Sequence, residues 1–362
     1  SKKLCIFAPK LKKMGILYVF NPEHDLALAS NLANFTAPHA GRKLRSDLGY
    51  LPALWATADD YILVENVEQA RKAYGRLRAR VGGGQRQFVD KNQLRRLEIT
   101  GVTPWGWDAA LRSFLLRYGV DAVPDDETID SIRNLSHRRY AVEVLGQLQQ
   151  LGTIGTSVEV HSLEDVRLFL SEQNNVVMKA PWSSSGRGIR FVNGTLDVNH
   201  ERWIDNVINR QGSVIVEPYY NKVKDMGMEF ESDGAGTVRY IGLSLFQTKN
   251  GAYTGNILAS EEDKLEMISR YVPISLLVEI KERLCGLTAK LFKGRYRGPF
   301  GVDMMVVATP DRTNFLLHPC VEINVRRTMG HVALDIPSFA DGFSRVMQIV
   351  LTDKYRIQIR KQ

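Results

Sequence analysis

Over the first third of the chain, short apolar runs alternate with segments of helical length. ILYVF (16–20) ends in a polar turn and gives way to DLALASNLANF (25–35), YILVE (61–65) to NVEQARKAYGRLRARV (66–81), and WDAALRSFLLRYGV (107–120) follows. Strand, helix, strand, helix predicts a small parallel α/β domain over residues 14–135. No GxGxxG follows the first strand, so a dinucleotide fingerprint is missing. NPEHD (21–25) stands there instead, at the carboxyl end of a strand, where open α/β sheets place their ligands.

From Ser136 the pattern changes. SHRRYAVEVLGQLQQLG (136–152) reads as a capped helix with Ala141, Val144, Leu145 and Leu148 on one face and Gly152 at its end. A strand and a helix opened by Ser162 follow, then the β-rich runs 174–194 and GSVIVEPYY (212–220) around a helix-like NHERWIDNVINR (199–210). Residues 226–260 alternate as an antiparallel sheet does, with turns at SDGAG and KNGA. SLLVEIKERLCGLTAKLFKG (275–294) is an amphipathic helix, and FGVDMMVVA and NFLLHPCVEINV are two strands joined by TPDRTN. The expected units are 14–135, 136–216 and 217–355, the last two of mixed α+β character.

Length agrees with several modules, since 362 residues exceed the roughly 250 to 300 at which single cores stop growing. No stretch approaches the roughly 18 apolar residues of a membrane helix, which predicts a soluble protein without a membrane partner. Cys5, Cys285 and Cys320 are far apart, with no CxxC, so neither a disulfide framework nor a zinc site is indicated and a cytoplasmic location is expected. The opening SKKLCIFAPKLKK lacks the small-residue cleavage site of a secretory signal and reads as a leader or extension over residues 1–13. A net charge of +8 favours polyanions. The densest basic stretch, RKAYGRLRARVGGGQRQ, spaces its charges as a solvated helix would and holds one aromatic residue, so nucleic acid is the minority reading.

Three stretches carry chemistry. In KAPWSSSGRGI, Lys179 ends a strand, and Ser183, Ser184, Ser185, Gly186 and Gly188 form a loop whose amides and hydroxyls can close on phosphate. In GSVIVEPYY, a strand stops at Glu217, and an edge strand ending abruptly exposes the backbone donors and acceptors that read adenine. In GVDMMVV and VEINVRR, side chains alternate faces, so Glu322, Asn324 and Arg326 share one side while Ile323 and Val325 pack the other. If these two strands pair, Asp303 joins that face. Two carboxylates and an amide oxygen then make a hard-ligand set suited to Mg²⁺.

In this order the signals resemble the ATP-grasp superfamily over about residues 130–350, with a preceding α/β domain. The resemblance implies an ATP nucleotide held between two α+β subdomains, with Mg²⁺, and a carboxylate activated as an acylphosphate. Lys179 resembles the strand lysine on the phosphates, and SSSGRG the flap over them. Glu217, with Tyr219 at the same strand end, resembles the adenine hinge. Asp303, Glu322 and Asn324 resemble the magnesium ligands, and Arg326 the arginine that meets phosphate or substrate. Arg138 stands where the family has a lysine, and it can bind phosphate as a planar fork. Asp225 and Glu229 both offer themselves for the ribose, with Asp225 preferred. Lys249 could face the γ-phosphate, and His331 reads as a local structural residue.

The expected activity is therefore an ATP- and Mg²⁺-dependent carboxylate–amine ligase acting on small molecules. The alternatives are a non-catalytic nucleotide sensor and a nucleic-acid-binding module. The acceptor is expected beside the N-terminal domain, near Glu23, His24 and Asp25 and near PWGWD (104–108), with His24 a base oriented by Asp25. NPEHD could equally form a turn that caps the next helix. Assembly is left open between monomer and homodimer.

Overall fold

The computed structural model describes residues 14–183, 188–249, 252–337, 339 and 344–361, with Lys249 and Ala252 described by backbone alone. The N-terminal unit runs β1 (Met14–Val19), α1 (His24–Ser30), α2 (His39–Leu48), β2 (Tyr61–Leu63), α3 (Val67–Val81), β3 (Gln87–Val89), β4 (Glu98–Pro104), α4 (Ala109–Arg117) and α5 (Asp126–Leu135). Its sheet, in the order β3-β2-β1-β4, is parallel throughout, as the alternation of short strands and helices predicts. Asn66 and Asp108 cap α3 and α4 by accepting from the amides of Gln69 and Leu111.

The helix expected over 25–35 is shorter. It stops at Ser30 because Asn31 turns left-handed (φ 51°) and returns its N–H to the Ala27 carbonyl. β3 and β4 escape a periodicity reading. The first spans three residues, and the second, EITGVTP, has no clean alternation of burial.

A second unit runs α6 (Arg139–Gln147), β5 (Val158–Val160), α7 (Leu163–Glu172), β6 (Asn175–Lys179), β7 (Ile189–Asn193), α8 (Val198–Gln211) and β8 (Val214–Pro218). Its antiparallel sheet has the order β5-β8-β6-β7, and Val166, Met178, Ile204 and Val216 meet in its core. The helix expected from Ser136 begins only at Arg139. Ser136 closes α5 instead, its hydroxyl donating to the Ile132 carbonyl at 2.7 Å. The anticipated apolar stripe, Ala141, Val144, Leu145 and Leu148, is buried, and the chain leaves the helix at Gln147 rather than Gly152.

The third unit holds β9 (Lys222–Ser232), β10 (Val238–Lys249), β11 (Ala252–Leu258), α9 (Glu261–Ser269), α10 (Ile274–Phe292), β12 (Gly298–Ala308), β13 (Phe315–Asn324), α11 (Met329–Leu334), β14 (Arg345–Leu351) and β15 (Tyr355–Lys361). These strands form one antiparallel sheet, β13-β12-β9-β10-β11-β14-β15. The expected limits at 216 and 355 cut across elements, since β8 runs on to Pro218 and β15 to Lys361.

Strand alternation divides the two faces of this sheet. Met226, Met228 and Phe230 of β9, with Phe300, Val302 and Met304 of β12, pack onto Leu277, Ile280, Leu284 and Phe292 of α10. Phe300 stacks on Phe230 at 5.1 Å and meets Phe292 edge-on at 4.8 Å, and each such side chain contributes on the order of 1.5–3 kcal/mol. The intervening residues, Asp225, Gly227, Glu229, Gly301 and Asp303, face the other way and build the site. A further core joins Phe20, Leu48, Leu51 and Ile62 of the N-terminal unit to Val332, Ile336 and Met347, so the first and third units share buried surface.

Candidate functional site

The acidic face begins with register. β12 and β13 pair so that Asp303 lies opposite Glu322 and Gly301 opposite Asn324, and β9 places Gly227 beside Asp303 and Glu229 beside Gly301. A Cβ on Gly301 would sit 2.6 Å from Glu229 Oε2, and one on Gly330 would sit 1.8 Å from Glu229 Oε1. Glycine at both positions leaves room for carboxylates on adjacent strands. Burial, reinforced by the like charges of Glu322 and Glu229, pushes the Asp303 carboxyl up to about 8. A carboxyl held protonated at neutral pH by burial beside two other acids marks a place where a cation would relieve charge. The oxygen donors of Asp303, Glu322 and Asn324 fit a hard divalent ion, and the third donor has to be an amide. Among the described residues no group of three His, Cys, Asp or Glu side chains is arranged around a metal position.

Glu229 and Asp225 differ in accessibility. Glu229 is buried and accepts from Thr328 Oγ1 at 2.8 Å, with His331 Nδ1 at 3.0 Å. Thr328 and His331 also form the capping box of α11, which matches the local structural role expected of His331. Asp225 is part-exposed and takes Lys222 Nζ at 2.8 and 2.9 Å and Thr248 Oγ1 at 2.6 Å.

Arg138 links the two α+β units. Its Nη1 donates to the Ala180 carbonyl and to Ser183 Oγ at 2.9 Å, and its Nη2 donates to Glu322 Oε1 at 2.7 Å. Ser183 and Gly188 bracket the glycine-serine loop. They approach so closely that a Cβ on Gly188 would lie 2.3 Å from that of Ser183. Ser184, Ser185 and Gly186 lie outside the described residues, as does the side chain of Lys249. The space lined by Asp25, Ser136, Trp182, Ser183, Glu322 and Asn324 is only about 10 Å³, so Trp182 and Ser183 lie close to the acidic strand.

Lys179 and Glu217 meet directly, Nζ to Oε1 at 2.5 Å, both more than nine-tenths buried on adjacent strands. The strand ending at Glu217 is internal rather than an edge, flanked by β6 and β5. Its pairing with β5 stops at Val216, so Glu217 and Pro218 keep a strand neighbour on the β6 side only. Tyr219 spends its N–H on the Asn175 carbonyl (2.8 Å), and its ring stays exposed beside Phe191.

NPEHD comes to the same place from the other end of the chain. Asp25 grips Arg326 at two points, Nε to Oδ1 at 2.9 Å and Nη2 to Oδ2 at 2.8 Å, and Arg326 also donates to Asn324 Oδ1 at 2.8 Å. Asp25 thus orients Arg326 and not His24. The acid beside His24 is Asp108, 3.4 Å from Nδ1, and the imidazole is buried against Gly106 with Nε2 unpartnered. Asn21 donates to the Gly106 carbonyl (2.8 Å) and to Asp108 (3.1 Å), so NPEHD and PWGWD form one buried polar cluster. NPEHD does turn into α1, the His24 N–H donating to the Asn21 carbonyl at 3.1 Å, but no side chain caps the helix.

The fold is similar to those of several solved structures. N5-carboxyaminoimidazole synthetase from Staphylococcus aureus, complexed with ADP, is 13% identical over 94% of this chain and 84% of its own, with a TM-score of 0.49. A protein from Archaeoglobus fulgidus assigned to the ATP-grasp superfamily is 10% identical over 96% and 99%, also at 0.49. The biotin carboxylase domain of Hydrogenobacter thermophilus 2-oxoglutarate carboxylase, a dimer crystallised with MgADP, ADP and bicarbonate, reaches 0.52 at 14% identity over 93% and 74%. The chain has the ATP-grasp fold. No protein-family model and no curated protein sequence matches it.

Of the residues expected in the site, Arg138 meets Ser183 and Glu322, Asp303 lies opposite Glu322, Asn324 meets Arg326, and Lys179 pairs with Glu217 inside the smaller sheet. The sequence singles out Asp25 and the PWGWD segment that holds Asp108, but with other partners, and it does not single out Thr328. No local signal could have paired Asp25 with Arg326, 301 residues away. Among the described residues no helix is long and apolar enough to cross a membrane, and Cys285 and Cys320 are free.

Proposed function

We propose that the chain is an ATP- and Mg²⁺-dependent ligase that activates a carboxylate as an acylphosphate for attack by an amine. The observation that carries this reading is the Arg138–Glu322 pair, which ties the base of the phosphate loop to the acidic strand at the mouth of the cleft. Arg138 and Lys179 supply fixed positive charge for phosphates, each now paired with an acid that nucleotide or cation would take over. Asp303, Glu322 and Asn324 would hold Mg²⁺, which would neutralise charge on the transferring phosphoryl group. Glu217 and Tyr219 border the base site, and Asp225, more accessible than Glu229, takes the ribose. Arg326, held rigid by Asp25, steadies the acylphosphate. Lys249 is proposed to face the γ-phosphate. His24, sealed with Asp108, acts by holding the acceptor side of the cleft in shape.

The test is phosphate and ADP release by the full chain with Mg²⁺, ATP and mixtures of small carboxylates and amines. Release that needs both co-substrates supports the ligase. Tight ATP binding without release under any mixture would leave a nucleotide sensor as the better reading.

A further inference from the structure

Beside the cleft, the N-terminal unit contains a cavity of about 490 Å³, within the range of small-molecule sites. It opens at the carboxyl ends of β1, β2 and β3, and its walls include Phe20, Ala27, Leu111 and Phe114. Its floor is polar and buried: Asn21 is 4% exposed, Glu23 7% and Asp108 3%. Glu23 shares Oε1 with Arg45, while its Oε2 is buried without any hydrogen-bond partner. Glu23 lines the cavity, and a carboxylate with one orphaned oxygen gains from a donor brought up to it.

The charges are ordered. At the floor Glu23 pairs with Arg45, which also pairs with Glu65, while Asp108 is held by Asn21, His24 and the Leu111 amide. At the rim Arg42 gives an N–H to the Ala37 carbonyl, and among the described residues no carboxylate pairs with it. Lys91 lies at the same rim. Asp90 and Glu65 line the cavity too, so the orphaned oxygen of Glu23 favours a cation, and Arg42, with no carboxylate of its own among the described residues, is the group that favours an anion. Burial also pushes the Glu23 carboxyl upward, a penalty that a cationic donor would offset.

We propose that this cavity binds the amine co-substrate as a zwitterion, its ammonium on Glu23 Oε2 and its carboxylate on Arg42, with an aliphatic or aromatic body against Phe20, Leu111 and Phe114. This rests on the ligase reading for its role and on the cavity alone for its existence. The ammonium end lies next to the cleft, because Glu23 is two residues from Asp25, which holds Arg326.

The experiment is calorimetry on the full chain without nucleotide, using the proteinogenic amino acids and short ω-amino acids, each binder being compared with its deaminated carboxylic acid. Binding of at least one amino acid, weakened about tenfold or more by deamination and likewise by Glu23→Gln, is the expected result. The analogue comparison needs no variant, so it decides the matter even if Glu23→Gln misfolds. Equal binding of the deaminated acid, full affinity in a folded Glu23→Gln chain, or no binder in the panel would overturn the proposal. ATP titrated separately keeps the two readings apart. Amino-acid binding without ATP binding would sink the ligase and leave the cavity, while ATP binding with no amino-acid binding would do the reverse.

Discussion

Asp25, in the first turn of α1, and Arg326, two residues beyond β13, form a bidentate ion pair at 2.9 and 2.8 Å across 301 positions of sequence. Both side chains are mostly buried, at 19% and 17% exposure. A planar fork on a carboxylate fixes direction as well as charge. Asp25→Asn should remove one acceptor, destabilise the chain by about 1.5–3 kcal/mol and let the Arg326 side chain move. A double-mutant cycle with Arg326→Gln in urea measures the coupling, and additive effects would show that the pair holds nothing together.

Glu322 lies opposite Asp303 and accepts from Arg138. Glu322→Gln keeps the shape and removes the charge that the proposed divalent ion would use. Calorimetry should show Mg²⁺-ATP weakened far more than nucleotide alone. Equal weakening would take Glu322 out of the metal site.

Gly330 and Gly75 are a matched pair of alanine tests. At Gly330 a Cβ would collide with Glu229, whereas at Gly75, inside α3, it would meet nothing within 4 Å. Gly330→Ala should cost about 1–3 kcal/mol through the displaced carboxylate. Gly75→Ala should stabilise by roughly 0.5–1 kcal/mol through helix propensity. Urea midpoints of the two variants moving in the same direction would contradict the packing around Glu229.

His318 is fully buried on β13 with neither ring nitrogen bonded. Burial, with Lys179 adding like charge, pulls its pKa down from 6.5 to about 3. The unfolded chain then binds more protons than the folded one between these values. The stability contribution is present in full above about pH 6.5 and drains away as pH falls towards 3, with a slope approaching about 1.4 kcal/mol per pH unit. Stability measured against pH should flatten in His318→Phe relative to the parent. An unchanged slope would mean that the ring is hydrated in the native state.

Strand and helix periods alone predicted a parallel α/β sheet near the start of the chain and α+β segments after it, and the sheets have that character. They also placed Glu322, Asn324 and Arg326 on one side of Ile323 and Val325, because a period of two is a local property of extended backbone. Pairing across TPDRTN brought Asp303 opposite Glu322, as the strand reading anticipated. Helix ends were less legible. The stops at Ser30 and Gln147, and the role of Ser136 in closing α5, depend on where single hydroxyls and amides find partners.

Tertiary structure alone decided which acid meets which base. NPEHD looked like a self-contained base and orienter, yet His24 turned to Asp108 and Asp25 to Arg326. The internal position of the Glu217 strand, its contact with Lys179 and the cavity beneath Arg42 are of the same kind. Side-chain period follows from neighbours along the chain, whereas ion pairing follows from distance in space, and here that distance closes over as many as 301 residues.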